Sequence, residues 1–264
     1  MVNRTCYKNA ILIIFFLIIF NFVVISEEKK MNSVECSFVL EKDTFVLGEP
    51  IYLIYKIKNQ ISNKIIFIVG NGRKDSFEFN VINSNNLNKY KVLNPYYEFG
   101  GITAKRFVES GQDYSYRILL NKYINFCKEG KFDVECKGNF PVEDGKDNLI
   151  NIKNIGVVHF KIKEDKKTFL KIIKNLQSKL SDNHYEIREE AIRALTSIRQ
   201  EEVIKILASA LKNEDEYIVE IALDGLGEFR DNDEAKKIVT KFASDHKGTR
   251  LGEWAERIFE KWEK

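Results

Sequence analysis

Histidine, cysteine, serine and paired carboxylates are the side chains that could do chemistry here, and the 264-residue chain holds three His and four Cys. A zinc site needs three or four converging ligands, usually with a short spacing such as His-x-x-x-His or Cys-x-x-Cys, and His159, His184 and His246 form no such pair. His159 falls on the outward phase of a strand whose Val158 and Phe160 point inward, while His184 and His246 fall in loops between helices. No Gly-x-Ser-x-Gly elbow occurs, and Gly70-Asn71-Gly72-Arg73 lacks the following helix that a phosphate-cradling loop requires. Asp144-Gly145-Lys146-Asp147-Asn148 offers oxygens to calcium but not the remaining spaced ligands, so it reads as an exposed turn. Glu189-Glu190 and Glu201-Glu202 are placed at helix starts, where carboxylates complement the dipole. The expectation is a chain with no catalytic, cofactor-binding or metal-binding set.

Charge and sulfur supply the remaining candidates. Lys174, Lys205 and Lys237 recur at one equivalent position along the C-terminal half, with Lys241 a turn beyond, and acids Glu189, Glu190, Glu220, Asp224, Glu253 and Glu256 occupy the intervening helices. A lysine row of this kind suits an acidic segment of a protein partner, by steering and charged hydrogen bonds. With 42 basic and 39 acidic side chains the formal charge is only +3, too balanced for a nucleic-acid binder. Cys36 and Cys136 share the inward phase of their strands and are the candidate disulfide; Cys127, in a hairpin turning at Glu129-Gly130, would face Phe132 and stay free. Trp262 takes a core position on the last helix, and Trp254 is assigned to closing the end of the helical stack.

Three segments must position these residues. Residues 1–26 carry Arg4 and Lys8, no acid, and an apolar run from Ala10 to Ile25 broken only by Asn21. Sixteen residues at 1.5 Å each reach about 24 Å, short of a bilayer core of roughly 30 Å, so the segment reads as a signal peptide cut after Ser26. The chain is then exported, to periplasm, envelope or medium, and it meets a membrane only if the segment is kept as an anchor. Residues 32–163 alternate apolar and polar residues: Val34, Cys36, Phe38, Leu40; Ile51, Leu53, Tyr55, Ile57; Phe77, Phe79, Val81; Tyr114, Tyr116, Ile118, Leu120; Phe132, Val134, Cys136; Val158, Phe160, Ile162. Short half-buried strands separated by turns at Asn71-Gly72, Glu129-Gly130 and Asp144-Gly145 predict an antiparallel β-sandwich. All three Pro, all four Cys and ten of the 14 Gly precede residue 165, where the apolar period lengthens to three and four.

From 168 to 264 the chain repeats. Ile187, Ala191, Leu195 and Ile198 map onto Ile218, Ala222, Leu226 and Phe229, then onto Leu251, Ala255, Phe259 and Trp262. A second helix class alternates with these: Ile172, Leu176 and Leu180, then Val203, Leu207 and Leu211, then Ala235, Val239 and Ala243. A two-helix unit of about 30 residues predicts an α-solenoid, each unit burying its stripe against its neighbours.

The segments Ser181-Asp182 and Ile187-Arg188-Glu189-Glu190-Ala191-Ile192-Arg193-Ala194-Leu195, with Asn213-Glu214-Asp215 and Ala222-Leu223-Asp224-Gly225-Leu226-Gly227, resemble short bacterial HEAT repeats, the lyase-like type. The resemblance puts the family's loop aspartate and helix arginine at Asp182 and Arg188; Glu220 replaces the arginine in the second unit and the third is degenerate. It also implies that second helices, with Lys174, Lys205 and Lys237, line the concave side. Gly48-Glu49-Pro50 with Lys58-Asn59, and Lys128-Glu129-Gly130-Lys131-Phe132-Asp133-Val134, resemble bacterial immunoglobulin-like extracytoplasmic modules, and Asp75-Ser76-Phe77-Glu78-Phe79-Asn80-Val81 is similar to the proteinase-inhibitor type of sandwich. Together they imply an immunoglobulin-like sandwich followed by HEAT-like repeats, and an exported, non-enzymatic protein-binding or scaffolding protein that uses the concave face of the solenoid and the loops of the sandwich. The alternatives are a proteinase inhibitor acting through the sandwich, a lyase-type enzyme, and a glycan-binding module using Tyr96-Tyr97-Glu98-Phe99.

Overall fold

The structure, a computed structural model, describes residues 34–69, 77–84, 89–90, 92, 104–144 and 149–262. Residues 1–26, the turns at Asn71-Gly72 and after Asp144, and the aromatic run 96–99 lie outside the described residues.

Among the described residues ten strands form the first part: β1 Val34–Leu40, β2 Thr44–Val46, β3 Tyr52–Asn59, β4 Ile65–Val69, β5 Phe77–Asn83, β6 Lys89–Tyr90, β7 Ala104–Val108, β8 Asp113–Leu119, β9 Gly130–Asp144 and β10 Leu149–Lys163. One sheet runs β1-β3-β8; the other runs β2-β10-β9-β4-β7, with β5 also on β9 and carrying β6. Every pairing is antiparallel except β2 with β10, a departure from the all-antiparallel expectation. The period-two pattern explains the burial, because alternate side chains leave opposite faces of a strand. Leu53, Tyr55 and Ile57 of one sheet join Phe79, Val81, Phe132, Val134, Phe160 and Ile162 of the other in a single core. Phe132 and Phe160 stack at 5.6 Å and Phe126 meets both edge-on.

The longest strands are β9 and β10, 15 residues each, and they pair along nearly their whole length. On its other edge β9 serves β5 through Phe132 to Gly138 and β4 from Val142 onward. Pro141, which cannot donate to a ladder, stands in the gap between those two partners. The hairpin expected at Glu129-Gly130 is absent. Those residues lead straight into β9, where Gly130 opposes Ile162, and Cys127 is exposed in the preceding loop instead of facing Phe132.

Six helices follow: α1 Lys166–Lys179, α2 Tyr185–Thr196, α3 Ile204–Ala210 (entered by a 3-10 turn, Glu201–Val203), α4 Glu216–Gly227, α5 Asp233–Asp245 and α6 Arg250–Trp262. Asp165, Asp215 and Asn232 cap α1, α4 and α5, each side chain accepting from a backbone N–H of the first turn. Thus α1, α3 and α5 are the second-helix class and α2, α4 and α6 the first, as the repeat predicts. The first helices pack directly on one another, α2 on α4 and α4 on α6, whereas the second helices barely touch. Gly225 explains the closeness: a Cβ there would stand 2.6 Å from Thr196 Cγ2. The first helices thus form the closer-packed layer, and the lysines of α1, α3 and α5 belong to the other layer.

Candidate functional site

Lys174, Lys205, Lys237 and Lys241 are all exposed, because each falls opposite its helix's apolar stripe. Lys241 is tied to Asp245 at 3.0 Å, an i,i+4 pair. The other three make no ion pair within 4.0 Å among the described residues. The structure thus presents Lys174, Lys205 and Lys237 as one free cation per unit and takes Lys241 out of the set.

The first-helix layer has the opposite character. Glu189 pairs with Arg193 at 2.8 Å, Glu190 with Arg117 of β8, and Glu220 with Arg250 at 2.6 Å. Arg193 also donates to the Tyr217 hydroxyl, and Asp224 accepts from Trp254 Nε1 at 2.9 Å. Most of the acids expected to form a free acidic face are therefore engaged. Glu189 and Glu190 sit in the second turn of α2, not at its start, and their partners rather than the dipole hold them. Loss of water around the Asp224 carboxyl pushes it up to about 6, against the lowering effect of the Trp254 bond. Trp254 of α6 is buried, and Trp262, less buried, donates to the Gly227 carbonyl at 2.7 Å. Arg188 donates to the Asp182 carbonyl at 2.9 Å and reaches Asp215 of the next unit at 4.0 Å; the offset that pairs Ile187 with Ile218 puts buried Val219, not Glu220, at its counterpart position in that unit.

Sequence reasoning missed the junction between the two parts. Arg117 bridges Glu41 and Glu190 while stacking on the Tyr52 ring at 4.0 Å. Gln200 donates to the Leu47 carbonyl at 3.3 Å. Gly48, at φ +85°, lets the β2–β3 connection approach so closely that a Cβ there would overlap Gln200 and Phe169. A cleft of about 280 Å³ remains beside these contacts, lined by Ile172, Leu176, Ile187 and Ala191 together with Glu49 and Lys179. The repeat alignment could have signalled it. Ile218 is fully buried by the preceding unit, whereas its counterpart Ile187, with no unit before it, is 37% exposed.

The remaining candidates are dispersed. Cys36 is half-buried on β1 and Cys136 buried on β9; both are free thiols, and burial raises both, Cys136 to about 12. Cys36 lies in hydrogen-bonding reach of Tyr55, and Cys136 Sγ lies 3.6 Å from the Val134 carbonyl. His159 is exposed and meets Asp133 at 2.7 Å, His184 meets Asp182 at 3.0 Å, and His246 meets the Phe242 carbonyl at 3.0 Å. Among the described residues no three His, Cys, Asp or Glu converge as a metal would need, and no helix is long and apolar enough to cross a membrane.

A β region of two sheets docked on a short array of stacked helix pairs defines a modular, repeat-type protein. Residues 173–257 match the family described as HEAT repeats, so the helical region is a HEAT-like repeat domain. No curated protein matches the chain. Among solved structures, it is similar to the sporulation control protein Spo0M from Bacillus subtilis at 11% identity, with a TM-score of 0.26, over 55% of this chain and 56% of that one. A second similarity, to the structural genomics target SoR45, has 8% identity and a TM-score of 0.24 over 48% of this chain and 84% of that one. The chain thus spans just over half of the Spo0M chain it matches.

Proposed function

We propose that this is an exported, non-enzymatic protein-binding or scaffolding protein whose helical array holds an acidic segment of a partner. The observation that supports this reading is the row of Lys174, Lys205 and Lys237, exposed and without an ion pair while the first-helix acids are largely paired. Unpaired charge on a regular repeat gives a partner fixed points to meet, and its steering effect extends about 8 Å at physiological salt. Replacing all three lysines by Glu leaves the apolar stripe untouched, so helicity by circular dichroism should be retained while capture of the partner from the envelope fraction is lost. Unchanged capture by the folded triple variant would remove the lysine row from consideration.

The address and the finer fold belong to the same reading. Residues 1–26 act as a cleaved signal peptide, and intact-mass measurement of exported material should give a chain beginning near Glu27; retention of those residues in the membrane fraction would make them an anchor. The β region is of the immunoglobulin-like type, which two facing sheets of mostly short strands with one shared core support.

A further inference from the structure

One edge of the second sheet is open along β10. The strand β9 covers one side of β10 along nearly its whole length, whereas β2 takes the other side only at residues 161–163. Among the described residues nothing pairs with that second side over residues 149–160. The Lys161 N–H donates to the Asp43 carbonyl at 2.8 Å, so residues of its phase aim their backbone groups away from β9. His159, Val157, Ile155 and Lys153 share that phase, and each therefore offers an N–H and a C=O to whatever lies beside β10. Natural edge strands are blunted by short length, charge, proline or a bulge. This one carries Ile155 and Val157, 67% and 52% exposed, at its centre. Its core side is closed, because a Cβ on Gly156 would stand 3.1 Å from Phe38 Cδ2 of the facing sheet.

We propose that an extended acidic segment of the partner polypeptide adds to this edge as a further strand, its backbone paired with residues 153–159. Charge chooses that occupant over a second copy of the chain. The open stretch is bounded by Lys153 and Lys161, both exposed and without an ion pair among the described residues. Lys161 stands directly opposite Lys131 on β9, likewise exposed and without an ion pair among the described residues, and like charges so placed repel. A second β10 would bring further lysines to a rim whose acids on β9 are committed, Asp133 to His159 at 2.7 Å and Glu135 to Lys137 at 3.4 Å. A segment with two alternate apolar residues between acids matches Ile155 and Val157 and the lysines beyond them. Main-chain bonds then supply affinity and the side chains selectivity. This contact rests on the reading of the protein as a binder of an acidic segment, but not on the lysine row of the helices.

The test titrates the full chain by calorimetry with an acetylated, amidated peptide, Glu-Thr-Val-Thr-Val-Thr-Glu. V157P removes an outward N–H and leaves the β9 ladder intact, so it should keep the wild-type circular dichroism and weaken peptide binding at least about tenfold. K153E/K161E should weaken it to a similar degree. Methylating the peptide's amide nitrogens at alternate residues probes the pairing without altering the protein: one phase should abolish binding and the other should leave it. Binding that both methylated peptides keep, or that K153E/K161E leaves unchanged, overturns the strand addition. So does the absence of peptide binding, and self-association in sedimentation would then assign the edge to a second copy. In K174E/K205E/K237E the peptide should still bind; binding lost there and kept by K153E/K161E would drop the edge and retain the lysine row.

Discussion

Lys122 carries a pH dependence whose sign follows from its surroundings. Burial, with Arg193 the next contributor, pushes its amine down to about 8 from the ordinary value near 10.4. The folded amine thus loses its proton more readily than the unfolded one, so between pH 8 and about 10.4 the unfolded chain binds more protons and stability rises with pH. Urea unfolding at pH 7.5 and 9.5 should show that rise from this group, and K122M should both remove it and stabilise the protein at pH 7.5. A wild-type slope that K122M leaves unchanged would place the amine in water. Asp224 acts in a lower window: its folded value is raised, so its contribution is fullest below about pH 4 and is lost as pH climbs through about 6.

At the scale of elements, the same repeat position is under different constraint in successive units. Ile187 is 37% exposed above the junction cleft, and Ile218 is fully buried between α2 and α6. I187E should therefore cost under about 1 kcal/mol, whereas I218E buries an unpaired charge and should cost more than about 4 kcal/mol or prevent folding. Equal effects, read from urea midpoints, would mean that the first unit is covered as fully as the second. Gly225 poses a sharper question of sign. In an exposed helix Gly→Ala stabilises by about 1 kcal/mol, but here the new methyl would meet Thr196 Cγ2 at 2.6 Å and Leu207 Cδ1 at 3.1 Å. Overpacking of a close helix contact costs about 1–3 kcal/mol, so G225A should lower the unfolding midpoint. A stabilised G225A protein would show that α2 and α4 stand further apart.

For the whole molecule, the β region occupies the place that a preceding repeat would take at the open end of the array. A terminal unit needs its apolar face covered, and here α1 and α2 are covered partly by residues around Gly48, Pro50 and Tyr52. Among the described residues the polar fastenings across this junction are an exposed ion pair, Arg117 to Glu190, and a half-buried bond from Gln200 to the Leu47 carbonyl. Exposed ion pairs contribute roughly 0.2–1 kcal/mol each, so R117A with Q200A should scarcely change global stability. It should instead loosen the two parts, seen as faster proteolytic cutting near residues 164–167. Unaltered cutting would assign the junction to its apolar contacts alone.

Local periodicity determined much of this protein without reference to anything distant. Alternation of two marked β1, β3, β5 and β8 and the inner parts of β9 and β10. The recurrence of Ile187, Ile218 and Leu251 marked the repeat, and the change of period marked the boundary at Asp165, which caps α1. The free lysines were legible for the same reason, since a residue opposite an apolar stripe has nowhere to point but water. How closely two helices approach, by contrast, is set by the absent side chain of Gly225 against a threonine 29 residues earlier. Likewise Lys122 looked like any lysine following a strand; only the tertiary structure buries it enough to hold its amine below the ordinary lysine range. Periodicity reports which way a side chain faces its own element, and tertiary packing alone decides which other element, or which charge, it meets there.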